Sequence, residues 1–271
     1  MKKSLEGQVA VVTGASRGVG KGIALGLGEA GATVYVTGRS VQQSSDEGAL
    51  PGTIGETAEQ VTAMGGRGIA VRCDHADDAD VAALFERVKK DHGCVDILVN
   101  NAFAIPEGKL VAAFWELPIE QWDVMHRVGL RSHYVASWHA APMMILAKRG
   151  LIVNVSSFGA KIQAVNVAYG VGKAGVDRMT RDMGRELKAH GVTVISLWPG
   201  IVKTERLLAD DRLGFDLTNG ESPTFSGRAV AALAADPERL TKTTQSLVVA
   251  ELAREYGFTD VDGTVPASMK R

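Results

Sequence analysis

A chain of 271 residues, 45% hydrophobic and 23% charged, is long enough to bury a sizeable core without disulfides or metals. Its 30 Lys plus Arg balance 31 Asp plus Glu, for a formal net charge of -1, which argues against a nucleic-acid footprint or an anionic-membrane binder. Two cysteines make no disulfide scaffold and show no paired Cys/His spacing for zinc, so both read as ordinary thiols in a reducing compartment.

The N-terminus, Met1 to Gln8, is polar and runs straight into an apolar strand, without the apolar core of a signal peptide. Short runs rich in Val and Ile then recur at Val9–Val12, Thr33–Thr37, Gly68–Arg72, Asp96–Val99, Leu151–Val155, Val192–Leu197 and Ser246–Ala250. Continuous apolar strands of this length suit a sheet buried on both faces. Helical spacing fills Gly18–Ala30, Ala79–Lys90, Trp122–Ala147 and Ala168–Lys188 between them. The alternation predicts βαβ units and a Rossmann-type, doubly wound parallel α/β sheet of about seven strands in one domain, residues 1–271. Ser40–Gly55 reads as a long loop. Thr204–Phe225 follows the sixth strand and is expected to cover a substrate pocket, because ligands bind beyond the carboxyl ends of such strands. Val135–Ala147, interrupted by His139 and Pro142, is too short and polar to span a bilayer. No transmembrane segment is expected, and the protein is placed in the cytoplasm.

Glycine is frequent, at 31 residues. Three glycines follow the first strand in Thr13-Gly14-Ala15-Ser16-Arg17-Gly18-Val19-Gly20. Glycine permits a tight turn and close approach to a phosphate, and the helix N-terminus beyond presents free N–H groups. The end of the second strand carries Gly38 and Arg39 where an NAD binder would place a carboxylate. Arg17 and Arg39 converging on the adenosine ribose would bind a 2′-phosphate, which predicts NADP(H) over NAD(H). Tyr169 and Lys173 stand four apart on one helix face, where the ammonium is expected to favour the phenolate.

Together with Asp74, Asn100-Asn101-Ala102, Ser156-Ser157 and Pro199-Gly200-Ile201-Val202-Lys203-Thr204, this order resembles the short-chain dehydrogenase/reductase family over residues 5 to 204. The resemblance implies hydride transfer between a nicotinamide and a carbonyl or alcohol. It implies that Gly14, Ser16, Arg17, Gly18, Val19 and Gly20 hold the pyrophosphate and 2′-phosphate, and that Asp74 meets the adenine. Asn100, Asn101 and Ala102 would meet the ribose, while Pro199, Gly200, Val202 and Thr204 would flank the nicotinamide. Tyr169 would be the proton donor, and Lys173 would bind the nicotinamide ribose. The catalytic serine is Ser156 by the family's spacing to the tyrosine, or Ser157 by counting along the strand from Gly150. We take Ser157, since strand register decides which side chain faces a site.

Two positions depart from the family. Phe103 stands where a small residue follows Asn-Asn-Ala, and Gly129 stands inside a helix where the family has Asn. His133, four residues beyond Gly129, either supplies a polar group to a proton relay or is an ordinary satisfied histidine. Gly129 also motivates an alternative, a non-catalytic NADP(H)-binding sensor or scaffold on the same fold. The aromatic cluster Phe114, Trp115 and Trp122 is expected to pack a helix or line an apolar pocket. Arg178, Arg181 and Arg185 read as a solvated helix face, and His75 as a neighbour of the adenine. Phe103, Ile105, Phe158 and Ile162 favour a small hydrophobic carbonyl or alcohol substrate. Long apolar helices suggest a homodimer or homotetramer.

Overall fold

Runs of β-branched residues set the strands: β1 (Val9–Val12), β2 (Thr33–Gly38), β3 (Arg67–Arg72), β4 (Ile97–Asn100), β5 (Gly150–Val155), β6 (Val192–Trp198) and β7 (Ser246–Val248). The computed structural model describes residues 3–43, 45, 49–210 and 214–269. Residues 44, 46–48 and 211–213, within the loops singled out above, lie outside that set, as do residues 1, 2, 270 and 271. Among the described residues the strands form one seven-stranded parallel sheet, ordered β3-β2-β1-β4-β5-β6-β7. Strand order reverses between β1 and β4, which opens a crevice at their carboxyl ends. This is the doubly wound α/β fold that the sequence predicts.

The helices are α1 (Gly18–Glu29), α2 (Ile54–Ala63), α3 (Asp78–His92), α4 (Glu120–His126), α5 (Ser132–Ala147), α6 (Val167–Leu187), α7 (Glu205–Ala209), α8 (Pro223–Ala235) and α9 (Val249–Tyr256). Alternate strand residues serve two cores. Ala10 and Val12 pack with Ile23 of α1, Val61 of α2 and Phe225 of α8. Val9 and Val11 pack with Leu84 of α3, Met144 of α5 and Leu187 of α6. Both faces are therefore dry, and β1, β4, β5 and β6 are buried along their whole length. No helix among the described residues is long and apolar enough to cross a membrane.

Several elements differ from the sequence reading. Helix α2, unassigned there, begins at a reciprocal cap in which Thr53 accepts from the Glu56 N–H and Glu56 from the Thr53 N–H. Helices α8 and α9 are likewise additional to the helices that the spacing predicts. α8 crosses α1 at glycines: a Cβ on Gly22 would fall 2.0 Å from the Pro223 carbonyl oxygen, and one on Gly26 would fall 2.4 Å from Gly227. β7 is shorter than expected, because Val249 and Ala250 already turn into α9. The helix expected over Trp122–Ala147 is α4 and α5 joined by a π-helical turn, Arg127–Arg131, with Val128 off helical geometry at φ -112°. Gly129 lies within that turn.

Candidate active site

The crevice is built first by backbone fastening. Gly14 has φ +65°, and a Cβ there would come within 2.8 Å of Ala102 Cα, so the turn after β1 lies flat on the end of β4. Thr13 Oγ1 accepts from the N–H groups of Asn101 (2.8 Å) and Ala102 (2.9 Å). The Asn101 amide donates to the carbonyls of Thr13 (2.9 Å) and Gly14 (3.0 Å). Asn101 and Ala102 thus shape the glycine turn. Asn100 is set apart from the crevice: it is fully buried, donating to Ser137 Oγ (2.9 Å) and Asn154 Oδ1 (2.8 Å), and Asn154 donates on to Thr180. Its side chain braces β4 against α5 and β5, and reaches α6 through Asn154.

Arg17 and Arg39 stand near the same edge but do different work. Arg17 donates through Nε to the Pro51 carbonyl (2.9 Å) and through Nη2 to the carbonyls of Leu50 (3.3 Å) and Gly52 (2.9 Å) and to Ser40 Oγ (3.2 Å). It staples the loop after β2 onto the glycine turn, a role that sequence reasoning missed. Burial holds its guanidinium below the ordinary value, against the opposing charge of Glu205. Arg39 is exposed. Asp74, two residues past β3, accepts from the Ala76 N–H (2.9 Å) and shapes the turn into α3. His75 beside it is buried against Thr37 Oγ1 (2.9 Å), and burial pushes its pKa down to about 4.

The N–H of Gly18, the first residue of α1, donates to the Glu205 carboxylate at 2.8 Å. Helix N-termini attract anions, and here a carboxylate takes that place. Thr204 caps α7 by accepting from the Leu207 N–H (3.3 Å), and its methyl group lies over Gly18. Upstream, Pro199 is buried. A Cβ on Gly200 would fall 2.7 Å from Glu221 Oε1, and Val202 bridges to Glu221 alongside. Glu221 is itself buried, which pushes its carboxyl up to about 7.

Tyr169 sits in the first turn of α6. Asn166 caps that helix by accepting from the Tyr169 N–H (2.9 Å) and donates to the Leu110 carbonyl (2.9 Å). Tyr169 Oη lies 2.9 Å from Ser157 Oγ, which also accepts from the Gly159 N–H (3.1 Å). The adjacent Ser156 points the other way, buried, and donates to the Lys173 carbonyl (3.2 Å). Lys173, one turn after Tyr169, is buried and donates to the Val155 carbonyl (3.1 Å). Burial lowers its pKa to about 8, with Asp177 opposing. The expected lowering of the Tyr169 pKa is absent here: burial raises it, and only the Ser157 hydrogen bond pulls it back. The ammonium serves the Val155 carbonyl and the face of Phe103, 4.9 Å from the ring centre, and does not bond the phenol oxygen.

The two departures meet in space. A Cβ on Gly129 would lie 2.5 Å from Phe103 Cδ2, so the ring fills the room left by the missing side chain. Phe103 stands edge-on to Tyr169, centroids 5.7 Å apart. His133 is buried against the Ala102 carbonyl (3.1 Å) and is pushed down to about 3, first by burial and then by Lys173, so it is neutral.

A cavity of about 260 Å³ lies between residues 105–111 and 204–210, lined by Ile105, Pro106, Leu110, Thr204 and Leu207. Of the expected substrate-facing residues, Ile105 lines it, Phe158 packs on Trp198 and Ile162 is exposed. Phe114 and Trp115 pack on each other but remain mostly exposed, contrary to expectation. Trp122 stacks edge-on against His126. Arg178 and Arg185 pair with Asp182 on an exposed helix face. No group of three His, Cys, Asp or Glu side chains among the described residues could hold a metal.

A family model described as short chain dehydrogenase matches residues 8–211. Dehydrogenase/reductase SDR family member 1 of Mus musculus is 43% identical over 279 residues, spanning 97% of this chain and 86% of that protein. The crystal structure of a short-chain type dehydrogenase/reductase from Mycobacterium marinum matches with a TM-score of 0.76 at 27% identity, over 90% of this chain and 94% of that one. A metagenomic short-chain oxidoreductase crystallised with NADP matches with a TM-score of 0.73 at 31% identity, over 90% of this chain and 97% of that one.

Proposed function

Since the chain belongs to the short-chain dehydrogenase/reductase family, we propose that it is an NADP(H)-dependent oxidoreductase reducing a carbonyl, or oxidising an alcohol, on a small hydrophobic substrate. The observation that carries this reading is the 2.9 Å approach of Ser157 Oγ and Tyr169 Oη, with Lys173 one turn along the same helix face. A nicotinamide nucleotide, when bound, supplies a hydride to carbon or accepts one.

The residues present fit such a group, because the N-terminus of α1 already takes a carboxylate at the Gly18 N–H. Gly14, Ser16, Gly18, Val19 and Gly20 offer backbone for the diphosphate. Arg39 offers the charge for a 2′-phosphate, with no carboxylate at Gly38 to repel it. The NADP held by a similar solved structure supports the same preference. Asp74, Asn101 and Ala102 line the adenosine side, and Pro199, Gly200, Val202 and Thr204 the nicotinamide side.

Burial keeps the Tyr169 phenol protonated at neutral pH, which is the form that donates a proton to a substrate oxygen. Ser157 hydrogen-bonds that same oxygen and stabilises its developing charge. Lys173 places a positive charge beside both. The substrate would lie in the cavity lined by residues 105–111 and 204–210, its apolar part against Ile105 and Leu207. By the same reading the protein is one domain, cytoplasmic, and a homodimer or homotetramer.

The test is a panel of apolar ketones with NADPH, followed at the nicotinamide absorbance. Tyr169→Phe is expected to lose turnover while keeping NADPH binding. Inactivity across the panel with binding intact would overturn the enzyme reading in favour of a sensor. Tighter binding of NADH than NADPH would overturn the cofactor preference.

A further inference from the structure

A buried ammonium needs compensation for the water it has lost. Lys173 finds three sources. Its helix supplies Asp177, whose charge favours the ammonium. β5 supplies the Val155 carbonyl at 3.1 Å. The third is aromatic: the face of Phe103, 4.9 Å from Nζ to the ring centre, with the Tyr169 ring farther off at 5.7 Å. An aromatic face attracts a cation through its quadrupole, and more strongly where water is excluded.

That ring is held firmly. It meets Tyr169 edge-on at an interplanar angle of 88°. It also occupies the space over Gly129, where any Cβ would collide with it. Gly129 lies in the π-turn Arg127–Arg131, and such turns recur at functional sites. The backbone just before Phe103 is tied down by His133 on the Ala102 carbonyl. Gly129 and Phe103 are thus one packing unit, and the unit's exposed product is a π face presented to Lys173.

We propose that Phe103 is a positioning residue for the Tyr169–Lys173 pair: its ring holds the Lys173 ammonium beside Tyr169, and Gly129 is bare so that the ring can lie there. The inference rests on the catalytic reading of Tyr169 given above. The groups facing Lys173 are Asp177 and Tyr169 on α6, the neutral His133 on α5, and the Val155 carbonyl on β5. Beside these, Phe103 favours the charged lysine without itself taking or giving a proton.

The test is the titration of Lys173 in the full chain, labelled with ¹³C and ¹⁵N at lysine and followed by NMR through Nζ and Cε. Phe103→Leu keeps the bulk and removes the π face, whereas Phe103→Tyr keeps both. A cation–π contact of ordinary strength corresponds to about half to one and a half pH units. The Lys173 midpoint is therefore expected to fall by that amount in F103L and to stay in place in F103Y. Gly129→Ala, which pushes the ring aside, is expected to move it in the same direction as F103L. With NADPH and an apolar ketone, the alkaline limb of the kcat/KM profile should move with the NMR midpoint. An unchanged Lys173 titration in F103L, or equal shifts in F103L and F103Y, would overturn the proposal. An NMR shift in a protein that turns over no ketone would support the contact and overturn the catalytic reading, so the two fail separately.

Discussion

Ser156 and Ser157 are neighbours in the chain and strangers in the fold. Successive side chains at the end of a strand point to opposite sides, so one hydroxyl turns inward to the Lys173 carbonyl and the other reaches the phenol of Tyr169. A hydroxyl that stabilises a developing oxyanion contributes about 10²–10³ in rate. Ser157→Ala is therefore expected to lower kcat by roughly that factor with little change in thermal stability. Ser156→Ala should leave kcat within a few-fold and cost about 1 kcal/mol of stability, the ordinary worth of one hydrogen bond. Steady-state kinetics and urea unfolding on the two variants separate these outcomes, and the opposite ranking would return the catalytic role to Ser156.

At the scale of elements, α7 lies across the start of α1. The Glu205 carboxylate takes the Gly18 N–H, and Thr204 packs on the same glycine. On the proposed function a diphosphate competes for that N–H, so the carboxylate must leave when the cofactor enters. Removing its charge removes the competition at a helix N-terminus, an effect of about 0.3–1 kcal/mol. Glu205→Gln is thus expected to tighten NADPH binding by roughly two- to five-fold. Titration of intrinsic fluorescence without substrate measures this directly. An unchanged or weaker affinity would mean that the carboxylate stays in place or assists binding.

Across the whole molecule, three buried titratable groups set the response to acid. His75 and His133 are neutral in the fold, at about 4 and about 3, yet take protons near 6.5 when unfolded. Their stabilisation is complete above that value and is lost as pH falls through the window below it. Glu221 acts in reverse. It keeps its proton in the fold up to about 7 and releases it near 4.5 when unfolded, so stability falls as pH rises between the two. Between about pH 4.5 and 6.5 two protons oppose one, and acidification should cost ~1.4 kcal/mol per pH unit. Glu221→Gln removes the opposing group and should roughly double that slope. Urea midpoints at pH 7, 6 and 5 test both statements, and a flat profile would contradict them.

Much of this arrangement was legible in the sequence. Alternating apolar runs and helical stretches determined the parallel sheet, because a strand buried on both faces has no polar side. The Gly14–Gly20 spacing located the crevice, because only glycine accepts the backbone needed there. Tyr169 and Lys173 had to share a face by helical geometry alone. Even α2 carried a readable start in Thr53 and Glu56, a local cap obscured by the polar loop before it. The tertiary structure decided which side chains meet. Arg17 turned to the loop after β2, and Asn100 turned into the core. Glu205 reached Gly18 across 187 residues, and Phe103 filled the space over Gly129. Local sequence encodes periodicity and turn chemistry, whereas contacts of this kind depend on strand order, register and the path of each crossover, which no short stretch of residues contains.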